Sequence, residues 1–298
     1  MYYQIINVIG PIFLITIIGY MLEILNKNID AKTISSIVLL IATPSLVFST
    51  LTSLQIDAAT LLKMALSAML CVAVASVAGL AVLRALGMSY RTFLPCLIMP
   101  NSGNIGLPLV LLTFGEEGLA LGISYFFVIA LLQYTVGAAI ASGEYRLRDL
   151  ARQPLIYSVI LVAVVLLTKI KVPVIIATTT DLLGGMMIPA MLILLGTSLA
   201  RLSVSDLRQA IIIAVARLGI GIPTGLVVIG LISLSGIEAG TVFLMASMPT
   251  AIVIYVFAER YRPDAQQVAG AVVVSTTLTF AVLPVIIWAS YWIAGVTP

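Results

Sequence analysis

Between Thr92 and Phe114 the chain reads TFLPCLIMPNSGNIGLPLVLLTF, without a charged residue and long enough to cross a bilayer as a helix. Its middle holds Pro100, Asn101, Ser102, Gly103, Asn104, Gly106 and Pro108, residue types that interrupt helices. A broken helix frees backbone N–H and C=O groups, each costing several kcal/mol against lipid, so a break persists only where protein or a wet cavity covers it. It also leaves a half-helix N-terminus carrying roughly +0.5 of a charge. Two such ends meeting inside a membrane would hold an anion without any basic side chain. A second candidate break lies in FLMASMPTA, where Ser247, Pro249 and Thr250 interrupt another apolar run.

This chemistry presupposes a membrane, and the composition requires one. The 298 residues are 61% hydrophobic and only 9% charged, too few charges to cover the surface of a soluble protein of this size. The apolar runs reach about 20 residues without strand-like alternation, so spanning helices are expected rather than a β-barrel. The start, MYYQIINVIGPIFLITIIGYML, lacks a basic leader and a cleavage site and reads as a first span. Cys71 and Cys96 fall in or beside apolar runs, where buried reduced thiols are expected. Histidine is absent, which excludes imidazole metal sites and Ser–His or Cys–His catalysis, and no pair of mid-span aspartates offers an alternative. No enzyme, cofactor, metal or nucleic-acid partner is therefore expected.

Runs between charges predict an all-α protein with ten transmembrane helices near 4–24, 33–52, 62–83, 92–113, 118–142, 154–169, 181–200, 208–232, 239–258 and 267–294. The odd-numbered loops carry eleven basic residues: Lys27, Lys32, Arg84, Arg91, Arg146, Arg148, Arg152, Arg201, Arg208, Arg260 and Arg262. The even-numbered loops carry three, Lys63, Lys169 and Lys171. That asymmetry places the odd loops in the cytoplasm and both termini outside the cytoplasmic membrane. The hydrophilic stretch GEYRLRDLARQP divides the chain into a first five-helix repeat at 1–142, a linker at 143–153 and a second repeat at 154–298. Five spans per half turn the halves upside down relative to each other, the inverted-repeat plan of secondary transporters. Pro44 and Pro189 mark corresponding spans of the halves, as do Pro100 and Pro249, although Pro108 matches Pro249 equally well. Pro44 and Pro189 lack accompanying Asn or Gly and read as plain kinks.

Other polar residues inside spans are candidates for lining a cavity. Arg217 is the one charge well inside a span, either a counter-charge for an anionic substrate or a structural arginine that caps the carbonyls of a broken helix or snorkels toward the cytoplasm. Gln133, Thr276, Thr277 and Thr279 read first as packing contacts between helices, and Tyr255 either borders the cavity or packs. All twelve acidic residues fall in loops or at span ends, so coupling to sodium or protons through a buried carboxylate is disfavoured.

Longer motifs carry a resemblance. PNSGNIGLPLVLLTFGEEGLALG and SMPTAIVIYVFAERYRPDAQQVAG, with PAMLILLGTSLARL and ARLGIGIP, resemble the auxin efflux carrier (AEC) family of bacterial permeases and plant PIN-type transporters. The resemblance implies a fold like that of the bile acid/sodium symporters: two inverted five-helix repeats whose fourth and ninth spans are broken and cross. It implies a scaffold from spans 1, 2, 6 and 7, often a dimer interface, and a moving transport domain from spans 3–5 and 8–10. It also implies small organic anions as substrates. By motif Asn101 and Pro108 match the polar residue and the proline of the fourth-span crossover, and Pro249 the proline of the ninth. Asn104 would face either the site or the partner helix. The plant proteins' second ninth-span proline and long cytoplasmic loop are missing, so neither regulation through that loop nor auxin as substrate is carried over. The expectation is a carrier of small organic anions such as carboxylates, exporting them by an elevator motion and working as a homodimer. The alternatives are an anion channel and a sodium- or proton-coupled symporter of organic acids.

Overall fold

The computed structural model describes residues 2–25, 30–54, 57–144, 154–168 and 170–296. Lys27, Arg146, Arg148, Arg152 and Lys169, and the linker from 145 to 153, lie outside the described residues. The described residues form helices and no strands: α1 (Tyr2–Ile24), α2 (Ala31–Ser53), α3 (Ala58–Leu86), α4 (Tyr90–Ile98), α5 (102–114), α6 (116–142), α7 (Pro154–Thr168), α8 (Val174–Arg201), α9 (Leu207–Ile232), α10 (Gly236–Ala246), α11 (Ile252–Tyr261) and α12 (Ala265–Ala294). Seven continuous runs among these residues are long and apolar enough to cross a membrane, with α7 and α10 as shorter apolar helices. Leu14, Val77, Trp288 and Trp292 are all exposed, the inside-out pattern of a surface that faces lipid. Cys71 and Cys96 are buried free thiols.

One of the seven runs, Ser102–Ser142, has 41 residues. As a single straight helix it would be about 60 Å long, twice the hydrocarbon thickness. Gly115 resolves the excess with a backbone conformation (φ 69°, ψ −158°) that only glycine adopts readily. Beyond it α6 folds back on α5, bringing Gly122 against Leu107 and Val110. Helix α8 begins at Val174, well before the expected 181, and takes Asp181 onto an exposed helical face.

The helices pack as two groups. In one, α1 lies along α8, and α2 packs against α7 and the first half of α8. In the other, α9 packs on α3, α10 and α12, while α3 and α10 both contact the α5–α6 hairpin. Glycine brings backbones together at these seams, as membrane helices do when apolar burial alone gives no drive to associate. A Cβ on Gly196 would lie 2.0 Å from the Thr16 carbonyl oxygen, and one on Gly19 would lie 2.2 Å from that of Ile193. Gly196→Leu should therefore separate α1 from α8 and lower the melting temperature of the purified protein by several degrees, about 1–3 kcal/mol of overpacking. Gly219→Ala, with nothing within 4 Å of the added carbon, should leave it unchanged in the same melt.

The turn between α11 and α12 is tied to the start of α4. Thr92 donates to Asp264 Oδ2 at 2.5 Å, and Arg262 Nε sits 3.3 Å from Oδ1. Burial pushes the Asp264 carboxyl up, but the Thr92 hydrogen bond and the adjacent Arg262 guanidinium outweigh it and hold the group below its usual 3.8. A depressed carboxylate stabilises the fold above its unfolded pKa and ceases to do so as pH falls through the folded one. Asp264→Asn should thus lower the melting temperature at pH 7, and the gap from wild type should close as the pH drops below about 3.8.

Candidate functional site

The two interrupted segments meet. Pro100 disfavours helical backbone at the residue before it, and Met99 is accordingly extended (φ −105°, ψ 99°), ending α4. The second segment opens after Ala246, and Ala251 is extended (φ −68°, ψ 136°) ahead of α11. Between them Pro100 and Thr250 form an isolated antiparallel bridge. The Asn101 N–H donates to the Pro249 carbonyl at 2.7 Å, and the Ala251 N–H donates to the Met99 carbonyl at 3.1 Å. Residues from opposite halves of the chain thereby satisfy each other's backbone, as helix breaks in apolar surroundings demand.

Four helix ends converge on this bridge: the C-termini of α4 and α10, and the N-termini of α5 and α11. The C-terminal side is closed by Arg217 of α9, which is 2% exposed. Its Nη1 donates to Leu97 O at 2.6 Å, Nη2 to Ala246 O at 2.9 Å and Nε to Met248 O at 3.0 Å. One guanidinium thus caps both half-helices, placing a positive charge where two negative dipole ends meet. Close approach of α9 makes this reach possible, since a Cβ on Gly221 would lie 2.5 Å from the Ala246 oxygen. Thr250 Oγ1 donates to Cys96 O at 2.9 Å, Ser275 Oγ accepts from the Thr250 N–H at 3.3 Å, and Gln133 Nε2 donates to Pro100 O at 3.0 Å.

The N-terminal side is open. A cavity of about 120 Å³ lies at the starts of α5 and α11, lined by Asn101, Gly103 and Asn104 from the first break and Ala251, Ile252 and Val253 from the second. Thr43 of α2, Gln133 and Tyr134 of α6 and Met191 of α8 also line it, and no charged side chain among the described residues does. The first N–H groups of each helix have no intrahelical partner. Asn101 Nδ2, Ser102 Oγ and Thr43 Oγ1 are buried without a hydrogen-bond partner among the described residues. Helix N-termini with unpartnered polar side chains beside them are in general suited to anions, and the lining supplied by the described residues is uncharged.

Widened, π-helical turns surround the cavity at Val38–Ala42, Ser102–Gly106 and Gln133–Gly137. The first two each end just before a Pro pair, Thr43–Pro44 and Leu107–Pro108. Each accommodates the ring and the missing N–H of the proline that follows. All three supply lining residues: Leu39, then Gly103 and Asn104, then Gln133 and Tyr134.

Of the residues singled out from sequence, Asn101, Asn104 and Gln133 reach the cavity. Ser102 is buried beside it, Pro108 is buried in α5 just after the widened turn, and Ser247 bonds back to Phe243 O within its own segment. Pro249 and Thr250 belong to the bridge itself. Arg217 stands on the carbonyl side, as the cap of a broken helix and neither a counter-charge lining the cavity nor a snorkelling side chain. Tyr255 Oη donates to the exposed Glu259 at 2.8 Å, and Thr277 is exposed with its hydroxyl on Val273 O; neither lines the cavity. Thr276 and Thr279 are buried in α12. Thr43, Tyr134 and Met191 were not foreseen, and the one signal for them was Pro44, next to Thr43.

With that geometry in place, the sequence profile of the family described as membrane transport protein matches the chain over residues 4–145 and 140–289. The chain belongs to this family, the auxin efflux carriers. It is a multi-pass membrane transporter. An uncharacterized transporter of Methanocaldococcus jannaschii is 26% identical over 300 residues, covering 95% of this chain and 97% of the relative. Another, from Methanothermobacter thermautotrophicus, is 27% identical over 290 residues, covering 92% and 94%.

For this auxin efflux carrier family member the bridge sets a clear expectation. Thr250→Val removes the donor to Cys96 O and leaves a buried carbonyl unpaired, a loss of about 1–3 kcal/mol. The melting temperature should fall by several degrees, whereas Thr277→Val, an equally conservative change on the exterior of α12, should not shift it.

Proposed function

We propose that the protein is a carrier for small organic anions such as carboxylates, with the anion held between the N-termini of α5 and α11. The observation that carries this reading is the pair of half-helix N-termini, with the Asn101 and Thr43 side chains unpartnered among the described residues, opening into one cavity that no described charged side chain lines. A monovalent carboxylate fits such a site because its charge meets dipoles that need no reorganisation and its oxygens accept from fixed N–H groups.

The reading extends to the whole chain. Ten membrane crossings follow when α4 with α5 and α10 with α11 each count as one interrupted span, giving two inverted five-helix repeats that cross at the Pro100–Thr250 bridge. The packing of α1, α2, α7 and α8 in one group and the remaining helices in the other supports a scaffold and a transport domain. The cavity is walled by both groups, through Thr43 and Met191 on one side and Asn101 and Gln133 on the other, as elevator-type alternating access requires. With the basic loops in the cytoplasm, both termini lie outside. Leu155, a lining residue in the first turn of α7 next to the basic linker, supports a cavity mouth that faces the cytoplasm. The membrane potential favours export of an anion by about 2.3 kcal/mol per charge per 100 mV. A homodimer through the scaffold helices accords with this plan. A channel is less well supported, because the fully buried Leu97, Met99, Met248 and Thr250 close the path behind the cavity.

A thermal-shift screen of the purified protein against small carboxylates, with Asn101→Ala alongside, tests the proposal. Selective, saturable stabilisation by a carboxylate, reduced at least tenfold in apparent affinity in Asn101→Ala, is expected. Stabilisation by the neutral amides of the same acids as strongly as by the acids would contradict an anion site.

A further inference from the structure

Arg217 has an environment that a side chain rarely occupies. Its guanidinium is buried, its three hydrogen bonds all go to main-chain carbonyls, and no carboxylate forms an ion pair with it among the described residues. The neighbours that share its small cavity, of about 10 Å³, are Cys71, Tyr125, Thr224, Gly221, Pro100 and Ala246, all uncharged. Its charge is therefore met by dipoles alone. The C-termini of α4 and α10 each contribute roughly −0.5, and together they balance one positive charge. Carbonyl oxygens at the C-terminal ends of interrupted helices are the donor set with which such transporters coordinate an alkali cation.

We infer that Arg217 is a resident cation occupying the position a coupling ion would take, so that the carrier closes its two C-terminal half-helices without binding sodium or potassium. The inference rests on the carrier reading only for its meaning in transport; the binding it asserts concerns cations and needs no organic anion. The guanidinium holds Leu97, Ala246 and Met248 together at all times, whereas an exchangeable ion would hold them only when bound. The two junction faces divide the work: a permanent cation at the C-terminal face, an exchangeable anion at the N-terminal one. Replacing Arg217 by a small residue should convert the three carbonyls into a vacant site for a monovalent cation, in the space the guanidinium gives up beside Thr224.

The test is a set of thermal melts at constant ionic strength in choline, sodium, potassium and low-millimolar guanidinium chloride, without any organic anion substrate. Wild type should melt at the same temperature in all four. Arg217→Ala should melt lower in choline and recover several degrees, saturably, in sodium, potassium or guanidinium. Arg217→Lys, which keeps the charge on a shorter donor set, should stay insensitive to the choice of cation. A wild type stabilised specifically by sodium or potassium would overturn the inference, as would a folded Arg217→Ala that ignores every cation. If Arg217→Ala survives extraction only when sodium, potassium or guanidinium is present throughout, the inference stands; if it is lost in all four salts, the inference fails. Failure of the carboxylate screen would leave these outcomes unaffected, so the two readings are separable.

Discussion

A helix interrupted in an apolar environment releases backbone groups that must find partners inside the protein, and much of this molecule is arranged around that constraint. The junction of the two interrupted segments meets it with a short antiparallel bridge, a threonine on Cys96 O, a glutamine on Pro100 O and one arginine on three further carbonyls. Each partner comes from a different part of the chain. The seams follow from the same need: α9 must lie against Ala246 for Arg217 to reach it, and Gly221 permits that approach.

Side chains and the bridge meet the carbonyls of Cys96, Leu97, Met99, Pro100, Ala246, Met248 and Pro249, whereas the first N–H groups of α5 and α11 have no partner within their own helices. That asymmetry gives the junction its polarity. On one face an internal cation neutralises the helix C-termini; on the other the helix N-termini, Asn101 and Thr43 are left for something that is not part of the chain. On the proposed reading the second face is where an anion enters, and the first keeps the scaffold of half-helices intact while it comes and goes.

Much of this was legible in the sequence because it is local. The density of Pro, Asn, Ser and Gly from 100 to 108 marks the first break, and the uncharged runs mark the helices. The second break was legible mostly through its pairing with the first, Pro249 with Pro100; MPTA alone would have passed for a kink. What was not legible depends on distant contacts. Arg217 could be recognised as costly, but its three acceptors lie on other segments, one of them 120 positions away. Pro44 looked like an ordinary kink because the widened turn before it, and the cavity that Thr43 faces, arise only when α2 packs beside α6 and α8. The early start of α8 at Val174 was hidden by Asp181, a charge that an exposed helical face tolerates.

The most direct test of the account is a structure of the protein with a carboxylate bound, determined in a lipid nanodisc. The account predicts density for the carboxylate between the N-termini of α5 and α11, in contact with Asn101, and Arg217 still hydrogen-bonded to Leu97, Ala246 and Met248. A carboxylate found on the Arg217 guanidinium, with those carbonyls released, would contradict it.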